Sequence, residues 1–279
     1  MISGSASRTA LGVARRRAAH QVLDDPVVFR DPLAGKVIGG DGAGASRDAK
    51  MLRAFVAARS RYAEDQLAAS FHRGTEQYVV LGAGLDTFAY RNPHAPPLKV
   101  FEVDHPDTQA WKKERLRAAR MAIPKSLTFV PVNFEIQDLA RELSRAPGFE
   151  TNRPAFFSML GVTPYLTKSA FRKTLRMIAS MPSGSGVAFD YAVAPAALDL
   201  WDRVRLKMLA ARVRMAGEAF RLFLEPHELE GTLRELGFTD IQDLGRDEIN
   251  ALYFQNRRDG LQVGGAIGRL LSASVPRAV

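Results

Sequence analysis

The chain has no cysteine among its 279 residues. That excludes disulfides and thiolate metal sites, and it fits a reducing compartment, so the cytoplasm is the expected location. Long apolar runs are missing too. The nearest approach, PAFFSMLGVTPYL (154–166), is too short to span a bilayer and contains two prolines. Neither zinc-type ligand spacing nor basic runs interleaved with aromatics occur, so neither a metal nor a nucleic-acid partner is expected. Positive charge is abundant: 39 Lys and Arg against 30 Asp and Glu give a net charge of +9. The denser patches are 15–17, 112–117 and the scattered Arg of 203–221, which on helices read as solvated faces. The expected partner is therefore a small molecule rather than a membrane, and composition leaves the oligomeric state open.

At 46% hydrophobic residues the chain can bury one large core. Residues 8–22 and 47–72 read as helices, the second carrying Leu52, Phe55, Val56, Tyr62 and Leu67 at helical spacing. The first twenty residues, Arg-rich and free of acids, have the composition of an organelle transit segment, but they read here as part of the fold. From residue 77 short apolar runs (77–81, 98–103, 127–132, 154–160, 185–192) alternate with helical segments (105–120, 135–146, 168–180). That rhythm implies a parallel sheet covered on both faces. A helix over 226–237 is bounded by Pro226 and Gly237, and final strands are expected in FTDIQDLG (238–245) and NALYFQ (250–255). The segment 195–224 is a candidate lid over the core. The whole chain reads as a single domain, with a helical cap over 1–75 and an α/β core over 76–279.

The stretch VVLGAGLDT (79–87) breaks a strand into Gly82-Ala83-Gly84, a turn that lets a ligand lie against bare backbone. Taken alone it could equally be an empty strand-to-helix turn. About twenty residues on, the next strand ends in FEVDHP, which places Glu102 and Asp104 where ribose hydroxyls are bound in such sheets. Asp104, at the strand's carboxyl end, is the better placed. Two features oppose a nicotinamide dinucleotide. Thr87 stands where the third glycine of that pattern belongs, and Asp86, expected in a first helical turn, would repel a pyrophosphate. The ligand should carry ribose but no phosphate at this turn, which is the chemistry of S-adenosylmethionine.

Together with SRTALGVARRRAAH, FRDPLAG, AARSRYAEDQL, VFEVDHPDTQAWK, FVPVNF, LGVTPYLT and GFTDIQDLG, the stretch VVLGAGLDTFAYR resembles the leucine carboxyl methyltransferase-like family of class I S-adenosylmethionine-dependent methyltransferases. The resemblance covers nearly the whole chain in order. It implies an α/β fold, a mostly parallel Rossmann-like sheet with a helical N-terminal cap. It also implies cofactor-binding roles: Arg59 pairing with the methionine carboxylate, Arg17 assisting from the cap, Gly82, Ala83 and Gly84 passing beneath the cofactor, Asp104 holding ribose, and Asn133 and Phe134 meeting adenine. One departure concerns the acceptor. Leu160 stands where many members carry Glu, which weighs against a protein-phosphatase substrate and for a small molecule.

The expected activity is O-methylation, with a carboxylate acceptor preferred. A phenolic acceptor and a non-catalytic cofactor-binding protein are the alternatives. A carboxylate needs no general base, and none of His20, His72, His94, His105 and His227 sits in a context that marks it as catalytic. Tyr165 and Tyr191, near the ends of the fourth and fifth strands, are the candidate substrate contacts.

Overall fold

The computed structural model describes residues 8–46, 49–215 and 217–276. Parts of the expectations for residues 1–7, for the start of the 47–72 helix and for the 195–224 lid lie outside the described residues. The chain opens with four helices: α1 (Arg8–Leu23), α2 (Ala34–Ile38), α3 (Ala43–Ser46) and α4 (Lys50–His72). They form the cap. Three ties hold it together. His20 Nδ1 lies 2.8 Å from Asp24, its Nε2 accepts the amides of Val28 and Phe29, and Arg53 grips both carboxylate oxygens of Asp24.

The core then alternates as the apolar rhythm predicts: β1 (Gln77–Leu81), β2 (Lys99–Asp104), α5 (Pro106–Ala118), β3 (Leu127–Pro131), α6 (Leu139–Ser144), β4 (Phe156–Met159), α7 (Lys168–Ala179) and β5 (Gly186–Ala192). After β5 come α8 (Leu200–Met215), α9 (Pro226–Glu235), β6 (Thr239–Leu244), α10 (Arg246–Tyr253) and β7 (Gly268–Ser274). The seven strands lie in the order β3-β2-β1-β4-β5-β7-β6. Every pairing from β3 through β5 is parallel, and β7 runs antiparallel between β5 and β6. This is the mostly parallel, class I methyltransferase sheet that the resemblance implies.

Both faces are covered, which is why β1, β4 and β5 are buried along their whole length. On one face α4 presents Ala54, Ala58, Tyr62 and Leu67 to Tyr78, Phe88, Phe156 and Leu270, and the Tyr62 hydroxyl donates to Ser272 at 2.8 Å. On the other face α7 buries Phe171, Leu175 and Ile178, one helical stripe, against Phe157 and Phe189. Thr167 caps α7 by accepting the Ala170 amide.

Two expectations need correction. NALYFQ is not a strand: the Glu248 side chain accepts the Gly245 amide at the start of α10, which buries Ile249. The last strand is instead GRLLSAS, inserted between β5 and β6. No α-helix follows the glycine turn either; the link from β1 to β2 holds a single 3-10 turn at Phe88–Tyr90. Asp86 therefore faces no helix dipole. Its Oδ1 accepts the Phe88 amide in a local turn. Among the described residues no helix is long and apolar enough to cross a membrane.

Candidate active site

In this sheet β2 lies on one side of β1 and β4 on the other, so the crevice where the strand order reverses opens at the carboxyl ends of β1 and β4. A cavity of about 360 Å³ occupies that place. Its floor is the glycine turn with the end of β2, its walls are the loops after β3 and β4, and its roof is Thr9, Ala10 and Val13 of α1 with Gly217–Ala219 beyond α8.

The glycine turn is set by its neighbours. Gly82 and Gly84 have φ of +67° and +48°, in the left-handed region that glycine tolerates best. A Cβ on Gly82 would stand 2.3 Å from Cγ2 of Val162, and one on Gly84 would stand 3.2 Å from the Ala10 Cβ. Glycine is thus required here by the β4 loop and the cap as well as by any ligand. The Gly82 and Ala83 amides donate to the Val103 carbonyl, which locks the turn to β2.

Asp104 closes the same turn. Its Oδ2 accepts the Gly84 amide at 2.6 Å and its Oδ1 accepts the His105 amide at 2.7 Å. Burial raises its pKa, and these two amides oppose the rise. Each oxygen keeps a second lone pair for another donor. Glu102, two residues earlier, points away from the cavity into a fully buried pair with Lys112, 2.5 Å distant, whose ammonium also donates to the Asp86 carbonyl. Burial, with Asp86 and Asp104 nearby, pushes the Glu102 carboxyl up to about 7 against the pull of Lys112.

Arg59, on α4, reaches the cavity beneath Gly161. Its Nη1 pairs with Asp190 of β5 at 3.0 Å, and the other oxygen of Asp190 accepts the Gly161 amide. The Nε of Arg59 is buried with no hydrogen-bond partner. Arg16 stands close enough for the Arg59 charge to add to burial in lowering its pKa, and its Nε is unpartnered as well. Arg59 thus brings a cation to the cavity wall, which suits an anion, whereas Arg16 stands behind it outside the lining. Arg17 lines the cavity but is engaged within the fold: it donates to the Leu85 carbonyl and lies 3.1 Å from Asp31 and 3.8 Å from Asp86. It joins cap to glycine turn.

Asn133 and Phe134 form the wall after β3. Asn133 Oδ1 accepts the Glu135 amide, which leaves its side-chain NH2 as the group it can present. Tyr165 also lines the cavity, with its ring edge-on to Phe220 and Thr9 on the same lining. Burial, then Glu218, pushes that phenol up to about 12. Tyr191 is not at the site. It is 1% exposed, lies outside the lining, and donates to Asp243 of β6 at 2.6 Å. Its strand position suggested the ligand face, but the antiparallel β7 and β6 extend the sheet beyond β5 and take up its hydroxyl.

The structure thus brings Arg59, Gly82, Ala83, Gly84, Asp104, Asn133, Phe134, Tyr165 and Arg17 around one cavity. Sequence reasoning missed Asp190, which holds Arg59, and His105 on the lining. Only the acid at 190, inside an otherwise apolar strand run, offered a signal. The donor set fits S-adenosylmethionine: unspent guanidinium donors suit a carboxylate, and the free lone pairs of Asp104 suit ribose hydroxyls. Among the described residues no group of three or more His, Asp and Glu could hold a metal ion.

The sequence pattern of the leucine carboxyl methyltransferase family matches residues 10–179. The chain is 36% identical to a Bacillus subtilis protein, YktD, named among the S-adenosyl-L-methionine-dependent methyltransferases; the match covers 73% of this chain and 67% of that one. It is 30% identical to a similarly named protein of Mycolicibacterium paratuberculosis, over 96% and 82% of the two chains. A crystal structure of a DUF574 family protein from Streptomyces avermitilis matches with a TM-score of 0.61 at 16% identity, over 94% of this chain and 97% of that one. At that identity the likeness is one of fold.

Proposed function

The chain belongs to the leucine carboxyl methyltransferase family and is an S-adenosylmethionine-dependent methyltransferase; from that premise we propose that it O-methylates a carboxylate of a small molecule. In this reading Arg59 holds the cofactor's carboxylate, and Asp104 accepts hydrogen bonds from its ribose. Gly82, Ala83 and Gly84 lie beneath it, while Asn133 and Phe134 meet its adenine. Arg17 keeps the turn in place. When bound, the cofactor would supply an electrophilic methyl group on a positively charged sulfur, with neutral S-adenosylhomocysteine as the leaving group.

The observation that carries the choice of a carboxylate is that Tyr165, His105, Asp86 and Glu135 of the lining are already engaged. Tyr165 holds its proton to about pH 12. His105 caps α5, its Nδ1 accepting the Asp107 amide. Asp86 is turned to the Phe88 amide and Glu135 to Arg221, 2.8 Å away. A phenol needs a base to take its proton during attack, whereas a carboxylate arrives ionised. The chain's contribution is then alignment and exclusion of water, for which α1 and residues 217–219 form the cover. Tyr165 lies against that cover and is the residue assigned to the acceptor. A small molecule of the reducing cytoplasm suits a chain without cysteine.

Methyl-labelled cofactor, offered with a panel of small acids and phenols, tests the reading. The expected product is an ester that releases labelled methanol in mild base, formed also by His105→Gln. A base-stable product whose formation His105→Gln abolishes would replace the carboxylate with a phenol.

A further inference from the structure

Half of the large hydrophobic side chains that stand exposed among the described residues lie on one helix: Leu200, Trp201, Val204, Met208 and Met215 of α8, out of ten. At 3.6 residues per turn, Trp201, Val204, Met208 and Met215 fall on one stripe, about 21 Å long. Leu206 and Asp202, both buried, occupy the opposite face. Asp202 fixes that inner face by accepting the Ala266 amide at 2.7 Å. The helix therefore has two opposed faces, one docked on the fold through Leu206 and Asp202 and one apolar and turned outward.

Between the two faces run cations. Positions 203, 207 and 214 fall on one flank of the outer stripe and position 205 on the other, all Arg or Lys; Arg205 pairs with Asp202, the helix's sole acid, at 3.0 Å, and Arg203 donates to the Leu198 carbonyl, so Lys207 and Arg214 are the cations the surface relies on. We propose that the outer face of α8 is a docking surface for an anionic lipid bilayer, with Trp201, Val204 and Met208 entering the headgroup boundary and the flanking cations meeting lipid phosphates. An apolar stripe edged by Lys and Arg stems is the form of a helix lying in a membrane interface. The charge pattern decides against a second copy of this chain, because stacking two such stripes would bring like-charged rows together. Nucleic acid would leave Trp201, Val204 and Met208 without an apolar partner. The sequence expectation of no membrane partner rested on the lack of a spanning run and on reading dispersed cations as solvated; the outward stripe between them is visible only once the inner face is known. Because Gly217–Ala219 beyond α8 roof the cavity, docking would set the rim of the active site beside the bilayer.

Sedimentation of the full chain with phosphatidylcholine vesicles, with and without phosphatidylserine, tests this. Partition is expected onto the phosphatidylserine vesicles alone. In a Trp111→Phe background, binding should shift Trp201 emission to the blue. Lys207→Gln with Arg214→Gln should weaken partition about thirtyfold, each cation near an anionic surface being worth roughly fivefold. Trp201→Glu with Met208→Glu should abolish it, with cofactor affinity and Tm unchanged. Failure to partition, equal partition onto phosphatidylcholine alone, or binding that survives Trp201→Glu with Met208→Glu would each overturn the proposal. So would a dimer that dissociates on those substitutions while vesicles remain unbound.

Discussion

Replacing Arg59 should damage folding and binding separately, and the structure shows how to part the two. Arg59 and Asp190 pair at 3.0 Å with side chains only 9% and 6% exposed. Arg59→Ala leaves a buried carboxylate without its cation, a change that costs about 3–5 kcal/mol in comparable settings. With an unfolding entropy scaled to 279 residues, that is a fall in Tm of about 5–9 °C. Asp190→Asn removes the stranded charge while its side-chain oxygen still accepts the Gly161 amide. The double variant should therefore recover most of the lost Tm. Binding should not recover. A charged hydrogen-bond partner is worth roughly 1.5–3 kcal/mol, so affinity for S-adenosylhomocysteine should drop ten- to a hundredfold in both variants. Adenosine, which lacks the carboxylate, should bind the double variant as it binds the parent. Calorimetric titration of both ligands reads the result. Equal loss of adenosine and S-adenosylhomocysteine in the refolded double variant would refute the role given to Arg59, and unchanged binding of both would remove it from the site.

Asp104→Asn should weaken S-adenosylhomocysteine on the order of tenfold or more by calorimetry, since it keeps the shape but loses an anionic acceptor. Gly82→Ala should destabilise the protein, because its Cβ meets Val162 at 2.3 Å and φ is positive. Adding Val162→Ala should restore only the part due to the clash, leaving about 1–2 kcal/mol of backbone strain in chemical denaturation. Glu102 provides a pH test. Its folded pKa, about 7, lies above the 4.5 of an ordinary glutamate, so the folded protein binds the extra proton between those values. The stability it contributes is present in acid and is lost as pH rises through about 7, on the order of 3 kcal/mol. Glu102→Gln should flatten that part of the stability–pH curve measured by urea unfolding, and an unchanged slope would contradict it.

The core strands were legible because each is a short apolar run bounded by turn residues, a local signal that survives without partners. Helix α9 was legible for the same reason, Pro226 opening it close to where the structure does. What escaped depends on distant residues. GRLLSAS is a strand only by lying between β5 and β6, a placement no local pattern encodes. NALYFQ has strand-like composition, but the cap at Gly245 and Glu248 decides for helix. At the site the glycine turn and Asp104 stood out by spacing, whereas the Arg59–Asp190 pair joins residues 131 positions apart. Tyr191 misled because its place along β5 is visible in sequence and the strands that enclose it are not.

The two amides that hold Asp104 also bear on the thermodynamics of ligand capture. A carboxylate free to rotate would have to be immobilised when ribose arrives, at about 0.5–1.5 kcal/mol for a mobile side chain. Here Gly84 and His105 fix both oxygens in the folded protein itself, so the ordering is completed during folding. In the proposed reading the acid would meet ribose already aimed, with little rotational entropy left to surrender. Cofactor association at this end should accordingly be limited by diffusion and by opening of the cover, with no slow rearrangement of the ribose acid.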